Sequence, residues 1–279
     1  MSENMRFAVF GNPIKHSRSP MIHAAFAGQC DVKLEYRAVR VELNDFQRAV
    51  TAFFDAGGSG LNITVPFKEE AAAMAMELTG RAARATAVNT LWRDDAGVLR
   101  GDTTDGVGLV RDMVANLGWR IQGQRVLIVG AGGAVRGVLE PLMRELPTSV
   151  HIVNRTVERA ETLASEFAVL GKITASGYGD LAADQYDLVI NANSAGLSGE
   201  MPALPPGILG ERSCCYDLLY GAEPTAFMRW AAQNAAWAVS DGLGMLVEQA
   251  AEAFYVWHRS RPETQPVIQQ LRGVLAAAA

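Results

Sequence analysis

The sequence predicts an α/β fold with two domains, an α/β domain with a mostly parallel sheet and a Rossmann-type nucleotide-binding domain. Short β-rich runs alternate with helix-length stretches along the 279 residues, as expected for strands joined by crossover helices. A glycine-rich turn follows the apolar run Arg125–Val129, and one more helical stretch, Gly242–His258, follows the last predicted strand. We therefore expect a discontinuous first domain, residues 1–104 plus 243–279, and an inserted second domain, residues 105–242.

Apolar periodicity places the remaining elements in chain order. In the first domain, the predicted strands are Phe7–Phe10, Leu34–Val39, Gly60–Val65 and Ala87–Trp92, and the predicted helices are Asp45–Phe54 and Phe67–Glu77. In the second domain, the predicted helices are Gly106–Leu117, Ala134–Glu145 and Val157–Phe167, and the predicted strands are Arg125–Val129, Val150–Val153, Leu188–Asn191, Ser213–Asp217 and Trp237–Val239.

The composition is that of an ordinary globular protein, with 49% hydrophobic and 20% charged residues. The net charge is −5 and no basic block stands out, so a nucleic-acid partner is not expected. The chain shows no secretory signal and no apolar run of the roughly 20 residues that a membrane span needs. Cys30, Cys214 and Cys215 form neither a disulfide framework nor a CxxC motif, which indicates reduced thiols, a cytoplasmic protein and no metal site.

The glycine-rich turn ends one predicted strand and begins a helical stretch. Glycines permit a tight turn and close backbone approach to a pyrophosphate, and the N–H groups at the helix start face the anion. Val135 replaces the third glycine of GxGxxG, so the turn alone is equally typical of a buried strand that ends in glycine. The candidate cofactor-binding residues here are Gly130, Ala131, Gly132, Gly133 and Ala134.

The residues after the predicted strand Val150–Val153 favour NADP over NAD. Many NAD enzymes place Asp or Glu about 20 residues beyond the glycine turn, whereas this chain has Asn154, Arg155 and Thr156. A guanidinium suits a 2′-phosphate, which an acid would repel, and Arg159 lies on the same side of the following helix. The alternative is that both arginines are merely solvated at a helix N-terminus, which the positive end of the helix dipole disfavours.

Four polar segments in the first part of the chain are each predicted to lie at or just after a strand end, where α/β proteins place ligands. They are Gly11–Pro20, Asn62–Lys68, Ala87–Thr90 and Gly101–Gly106.

Seven motifs in order over nearly the whole chain closely resemble the shikimate dehydrogenase family, of the bacterial biosynthetic type. These motifs are GNPIKHSRSP, NITVPFKE, AVNT, GDTTDG, GAGGAVRG, NRT and DGLGMLVEQA. The resemblance implies NADP and substrate meeting in a cleft between two domains. It also implies the reversible reduction of 3-dehydroshikimate to shikimate in aromatic amino-acid (chorismate) biosynthesis.

The resemblance also implies roles for individual residues. It implies that Ser17 and Ser19 bind the substrate carboxylate, and that Lys68 and Asp105 form a pair at the reacting oxygen. Positions that match those holding the ring hydroxyls are Thr64, Asn89, Asp105 and Gln249, and a tyrosine near the substrate matches Tyr220. Cofactor contacts are implied for Asn193, where relatives commonly have threonine, and for Gly242.

The residue chemistry supports these assignments independently. Carbonyl reduction places negative charge on oxygen, so a proton donor must lie within hydrogen-bond reach. Lys68 can supply that proton and Asp105 can orient it. Each residue also has a structural interpretation: Ser17 and Ser19 as helix caps, Lys68 as a solvated lysine and Asp105 as a cap. Packing is an equal alternative for Tyr220, and turn support is favoured for Asn62 and Thr104.

Two other functions compete with the first. A quinate/shikimate dehydrogenase often prefers NAD, which Asn154-Arg155-Thr156 disfavours. A non-catalytic NADP-binding regulator would keep the glycine turn but lose the proton donor, and the joint retention of Lys68 and Asp105 disfavours it. The expected partners are small molecules, with a homodimer as the candidate assembly.

Overall fold

A computed structural model of the chain describes residues 4–181, 185–193, 204–205 and 207–277. The chain divides into two compact units. The first unit contains the residues up to Gly108 together with Val247–Val267. The second contains Leu109–Leu246 and the residues from Ile268 onward. Among the described residues, no helix combines the length and apolar character that a bilayer crossing requires.

The first unit is built on a six-stranded sheet with the strand order β2-β1-β3-β5-β6-β4. Its strands are β1 (Met5–Gly11), β2 (Leu34–Arg40), β3 (Gly60–Ile63), β4 (Glu77–Leu78), β5 (Thr90–Arg93) and β6 (Leu99–Asp102). Its helices are α1 (Ser19–Gln29), α2 (Phe46–Asp55), α3 (Lys68–Met74) and α4 (Gly80–Ala85), followed by α5 (Asp105–Arg111), which continues beyond the unit as a π-helical turn over Asp112–Asn116.

Aromatic side chains form much of the first unit's core. Phe10 and Leu61, on β1 and β3, pack with Phe46, Phe54 and Phe67 from the α2 and α3 regions. The rings of Phe46 and Phe67 stack with centroids 4.7 Å apart. Burial of each such side chain contributes about 1.5–3 kcal/mol to folding, and it fixes the start of α3 against the sheet.

The sheet of the first unit is mostly parallel, as predicted, with one exception: β5 runs antiparallel to both β3 and β6. A tight turn after β5 accounts for its antiparallel pairing with β6. The Asp94 carboxylate accepts hydrogen bonds from the N–H groups of Ala96 and Val98 at 3.0 Å, and Gly97 has φ +79°. Asp and Gly favour such turns, so the chain folds back at once instead of crossing over.

Several predicted element boundaries in the first unit were wrong. The strand predicted over Ala87–Trp92 begins only at Thr90, and the strand predicted to reach Val65 ends at Ile63. The helix predicted over Phe67–Glu77 ends at Met74, because Ala75 is extended and the next N–H bonds to Leu99 of the neighbouring strand. Helices α1 and α4 and strands β4 and β6 were not predicted.

The second unit is built on a fully parallel six-stranded sheet with the order β12-β11-β10-β7-β8-β9. Its strands are β7 (Arg125–Val129), β8 (Ser149–Val153), β9 (Ile173–Ser176), β10 (Tyr186–Asn191), β11 (Leu209–Asp217) and β12 (Ala238–Ser240). Its helices are α6 (Gly133–Arg144), α7 (Val157–Phe167) and α8 (Ala226–Gln233), while α9 (Leu243–His258) and α10 (Gln265–Ala276) each span the division between the units.

This strand order is that of the doubly wound dinucleotide-binding fold, with its switch point between β7 and β10. Both faces of the sheet are buried, as parallel sheets require. Val126 and Ile128 of β7 belong to one apolar cluster, and Leu127 and Val129 belong to another on the opposite face. The predicted two-domain α/β fold class is therefore confirmed. Strand β9 and helices α8 and α10 were not predicted.

Candidate active site

Polar residues of the first unit gather at one edge of its sheet. Thr64 follows β3, and Asp105 comes three residues after β6. The prediction that Asn89 lies at or after a strand end was wrong, since it immediately precedes β5. Because β5 is antiparallel to its neighbours, its beginning lies beside the ends of β3 and β6. The three side chains are therefore placed together at this edge.

Lys68 and Asp105 form an ion pair at this edge. The Lys68 Nζ lies 2.6 Å from Asp105 Oδ2, and the two side chains are 23% and 13% exposed. Lys68 is the first residue of α3 and Asp105 the first of α5, so both come from helix starts anchored at strand ends. An amine that can give up a proton thus lies next to a carboxylate that fixes its position.

Asn89 connects this ion pair to two further polar side chains. Its amide Nδ2 donates to Asp105 Oδ1 at 2.9 Å, to Thr104 Oγ1 at 2.9 Å and to Gln249 Oε1 at 3.3 Å. Its Oδ1 accepts a hydrogen bond from the Thr104 N–H at 2.9 Å. Thr104, assigned to turn support from the sequence, does hold Asn89 in place.

Gln249 lies on α9 and approaches α5 unusually closely. A Cβ added at Gly108 would lie 2.6 Å from the backbone nitrogen of Gln249. Only glycine leaves room for two helix backbones at that separation. The position of Gln249 relative to Asp105, three residues before Gly108, is therefore set by backbone packing.

The Ser17 and Ser19 segment is bent, as convergence of the two hydroxyls would require. The Ser17 N–H donates to Ile14 O at 3.0 Å, and Ser17 Oγ accepts a hydrogen bond from the Ser19 N–H at 3.3 Å. Ser19 is buried and begins α1. The N-cap of α1 is Arg18, which makes no side-chain capping hydrogen bond, so the interpretation of Ser19 as a cap was wrong. Ser17 does contact the start of the helix, and this contact is compatible with ligand binding by the same hydroxyl.

A series of hydrogen bonds from Tyr36 through Asn62 to Asn89, which the sequence analysis did not predict, supports this edge of the sheet. The Tyr36 hydroxyl donates to Asn62 Oδ1 at 2.6 Å, and the Asn62 amide donates to Asn89 O and Thr90 Oγ1 at 3.1 and 3.2 Å. Burial raises the pKa of Tyr36 well above its usual value, so its proton stays in place. The hydrogen bonds of Asn62, in NITVPFK, agree with the supporting role predicted for it, but no local signal pointed to Tyr36.

His23 lies in an aromatic cluster next to this series of hydrogen bonds. Its ring stacks on Tyr36 with centroids 4.3 Å apart, and Phe254 and Trp257 also contact it. Burial, aided by the nearby His258, lowers the pKa of His23 to about 3. This histidine is therefore a neutral packing residue at neutral pH.

Acidification should destabilise the first unit through His23. The unfolded residue binds a proton near pH 6.5, whereas the folded one resists protonation down to about pH 3. The unfolded state then holds more protons in this window, so lowering the pH from 7 to 5 should reduce the free energy of unfolding by about 2 kcal/mol. Urea midpoints at both pH values measure this, and His23→Phe should flatten the dependence while the exposed His16→Phe should not.

In the second unit, the glycine-rich turn lies at the switch point of the sheet. Gly130 has φ +116°, and an added Cβ would lie 3.1 Å from Ala192 O. Positions Gly132 and Gly133, by contrast, face open space: no described atom comes within 4 Å of an added Cβ. Val135, at the third glycine of the pattern, is fully buried in the core, so this departure serves packing.

The start of α6 has the features of an anion site. The residue before it is Gly132, which has no side chain that could cap the helix, so the N–H groups of Gly133 and Ala134 have no side-chain acceptor there. The Val135 N–H already donates to Gly132 O at 3.0 Å. The space over Gly132 and Gly133 leaves the Gly133 and Ala134 donors accessible to a phosphate. The turn therefore fits a pyrophosphate.

The turn after β8 carries the predicted phosphate-binding cations. The Asn154 Nδ2 donates to Thr156 O at 2.8 Å, which shapes the turn, and Arg159 lies in the first turn of α7. Arg155 and Arg159 are exposed, and neither forms a salt bridge with any carboxylate that the structure describes. Two guanidinium groups that lack a carboxylate partner within the described residues suit a 2′-phosphate.

The remaining predicted cofactor and substrate residues of this unit also lie near strand ends. The Asn193 N–H donates to Asn191 Oδ1 at 3.2 Å, next to the glycine turn, and the Gly242 N–H donates to Leu219 O at 3.0 Å. Tyr220 is half-buried and lies three residues after β11, which ends at Asp217. The rest of the loop predicted to pass the nicotinamide, Ser194–Gly196, lies outside the described residues.

Comparison with known proteins places the whole chain in one family. The family models described as "Shikimate dehydrogenase substrate binding domain", "Shikimate / quinate 5-dehydrogenase" and "Shikimate 5'-dehydrogenase C-terminal domain" match residues 9–91, 112–198 and 242–272. A curated relative from Cellvibrio japonicus, named shikimate dehydrogenase (NADP(+)), is 55% identical, with 95% of this chain and 96% of the relative covered.

Solved structures agree with this placement. An Ael1 enzyme from Pseudomonas putida has a TM-score of 0.91 at 43% identity and covers 96% of this chain and 98% of its own. Shikimate 5-dehydrogenase from Thermus thermophilus, solved in complex with NADP(H) and shikimate, has a TM-score of 0.85 at 31% identity, covering 97% and 100%. The chain therefore belongs to the shikimate dehydrogenase family.

Proposed function

We propose that this enzyme catalyses the NADP-dependent, reversible reduction of 3-dehydroshikimate to shikimate in aromatic amino-acid biosynthesis, with Lys68 and Asp105 as its catalytic residues. Full-length curated relatives are named for this activity and this cofactor. The observation that carries the assignment of residues is the 2.6 Å ion pair between Lys68 and Asp105 at the sheet edge of the first unit.

NADPH supplies the hydride when it is bound. Lys68 donates a proton to the ketone oxygen as negative charge develops there, and in the reverse direction it accepts that proton from the alcohol. Asp105 holds the ammonium in place through one oxygen, and its other oxygen is fixed by the Asn89 amide. Both are partly buried, which strengthens each charge-assisted hydrogen bond.

The other polar groups of the first unit suit a carboxylated, hydroxylated ring. Ser17 and Ser19 can donate to the carboxylate, which needs O–H or N–H donors. Thr64, Asn89 and Gln249 are neutral donors and acceptors of the kind that hydroxyl groups require. We assign the carboxylate to the two serines and the ring hydroxyls to the other three together with Asp105, and we add Tyr220 as a substrate contact.

The second unit supplies the cofactor contacts. The backbone of the glycine turn would receive the pyrophosphate, and Arg155 with Arg159 would receive the 2′-phosphate. The proposed contact residues are Gly130, Ala131, Gly132, Gly133, Ala134, Asn154, Arg155, Thr156, Arg159, Asn193 and Gly242.

Three further features complete the proposal. The domain boundaries are placed at residues 104/105 and 242/243, and the enzyme is proposed to assemble as a homodimer. It is proposed to act in the cytoplasm, because Cys30, Cys214 and Cys215 are all free thiols. Such thiols match a reducing compartment.

An absorbance assay of nicotinamide reduction tests this function against its alternatives. The purified chain, assayed with shikimate or quinate and with NADP or NAD, should turn over shikimate with NADP best. A higher kcat/KM for quinate with NAD would instead indicate a quinate/shikimate dehydrogenase. Absence of turnover with every pair would favour the regulator.

A further inference from the structure

A partly buried ionic network joins two segments of the first unit that carry residues of the proposed site. Arg81, on α4, binds Asp102 in bidentate fashion, with Nε–Oδ1 and Nη2–Oδ2 distances of 2.7 and 2.5 Å. The same guanidinium reaches Glu252 Oε1 of α9 at 3.1 Å. The Asp102 and Glu252 side chains are only 3% and 15% exposed. Arg261 continues the network from Glu252 to Glu248, at 2.7 and 2.8 Å.

Each acidic partner of Arg81 stands three residues from a residue of the proposed site. Asp102 ends β6, and Asp105 follows it. Asp102 also accepts hydrogen bonds from the Thr103 N–H at 2.7 Å and from the Thr79 hydroxyl at 2.5 Å, so the start of the loop that carries Asp105 is held from three sides. Glu252 lies one helical turn after Gln249 on α9. Arg81 thus links the two segments that converge on Asn89.

We propose that Arg81 is a positioning residue that holds Asp105 and Gln249 in register through Asp102 and Glu252. Its planar guanidinium can bind both oxygens of Asp102 and reach Glu252 at the same time, which the point charge of a lysine cannot do. The proposal rests on the proposed function, because it assigns Arg81 no chemistry beyond the placement of that site.

Arg81→Lys tests the proposal in the full-length enzyme. This variant keeps the charge but loses the bidentate geometry, so kcat with shikimate and NADP should fall about tenfold, less than the roughly 10²-fold cost of a 1 Å misplacement of reacting groups. KM for NADP should stay within about twofold, since no cofactor contact changes. The readouts are kcat, both KM values and the thermal midpoint.

Arg100→Lys is the matched control. Arg100 lies on β6 two residues before Asp102 and also pairs with two acids, Asp94 and Glu77, but it does not contact the network. Weakening of these more exposed ion pairs of Arg100 should leave kcat unchanged. If Arg81→Lys lowers the thermal midpoint while kcat per folded molecule matches that of Arg100→Lys, the role of Arg81 is purely structural and the proposal is wrong.

A second variant covers the case in which Arg81→Lys does not fold. The double variant Arg81→Met, Asp102→Asn removes the ion pair as a whole, so no buried charge is left unpaired. Its kcat should still be lowered about tenfold, and normal kcat would overturn the proposal. In either case turnover of shikimate by the unaltered chain tests the proposed function separately, so a failure of the proposed function can be distinguished from a failure of this proposal.

Discussion

Replacement of Lys68 by methionine should lower kcat by about 10²- to 10⁴-fold, the usual contribution of a positioned acid–base group. Methionine keeps most of the apolar stem and removes the ammonium that lies 2.6 Å from Asp105. NADP binding should be unaffected, because none of the proposed cofactor contacts lies on α3. Steady-state kinetics with shikimate and NADP, together with a fluorescence titration of NADPH, measure both quantities.

Lys33→Met is the control for this experiment. Lys33 is exposed just before β2, so the same change there should leave kcat within about twofold of its original value, as for most surface substitutions. Near-normal turnover by Lys68→Met, in a protein that still binds NADPH, would show that Lys68 is not the acid–base group and is only a solvated lysine.

Arg155→Glu should lower kcat/KM for NADP by about 100-fold, because a charge-assisted hydrogen bond worth about 1.5–3 kcal/mol is lost and repulsion of the 2′-phosphate is added. The new carboxylate can accept hydrogen bonds from ribose hydroxyls, so kcat/KM for NAD should hold or rise. The ratio of the two kcat/KM values, measured with saturating shikimate, reports the change.

Lys172→Glu provides the same change of charge at an exposed position of the same unit. It should leave the NADP to NAD ratio nearly unchanged, since screened surface charges at a distance have little effect. A ratio that is as high in Arg155→Glu as in the unaltered enzyme would mean that cofactor choice is determined elsewhere in the second unit.

Much of the second unit could be predicted because its signals are local. An apolar run, a glycine turn and a helical stretch follow one another over 20 residues, and the bounds predicted for α7 match those observed, Val157–Phe167. The pairing of Lys68 with Asp105 was expected from the family resemblance, and the parallel-sheet rule for strand ends placed their segments together. Their distance in the structure is 2.6 Å.

The rest depends on contacts between residues far apart in the chain. Because β5 is antiparallel to its neighbours, Asn89 lies at the start of a strand and not at a strand end as predicted. The Asp-Asp-Ala-Gly segment before β6 is typical of a turn, but it does not by itself indicate the direction of β5. The Arg81 network joins residues 21 and 171 positions apart, and nothing in the local sequence indicates that pairing. Tyr36 likewise contacts Asn62 from another strand.

No side chain fits at position 108 while α5 and α9 keep their separation, because even a methyl carbon would meet the Gln249 backbone at 2.6 Å. Alanine at this position would therefore force one helix away from the other and would displace Gln249 from Asn89, to which it is hydrogen-bonded.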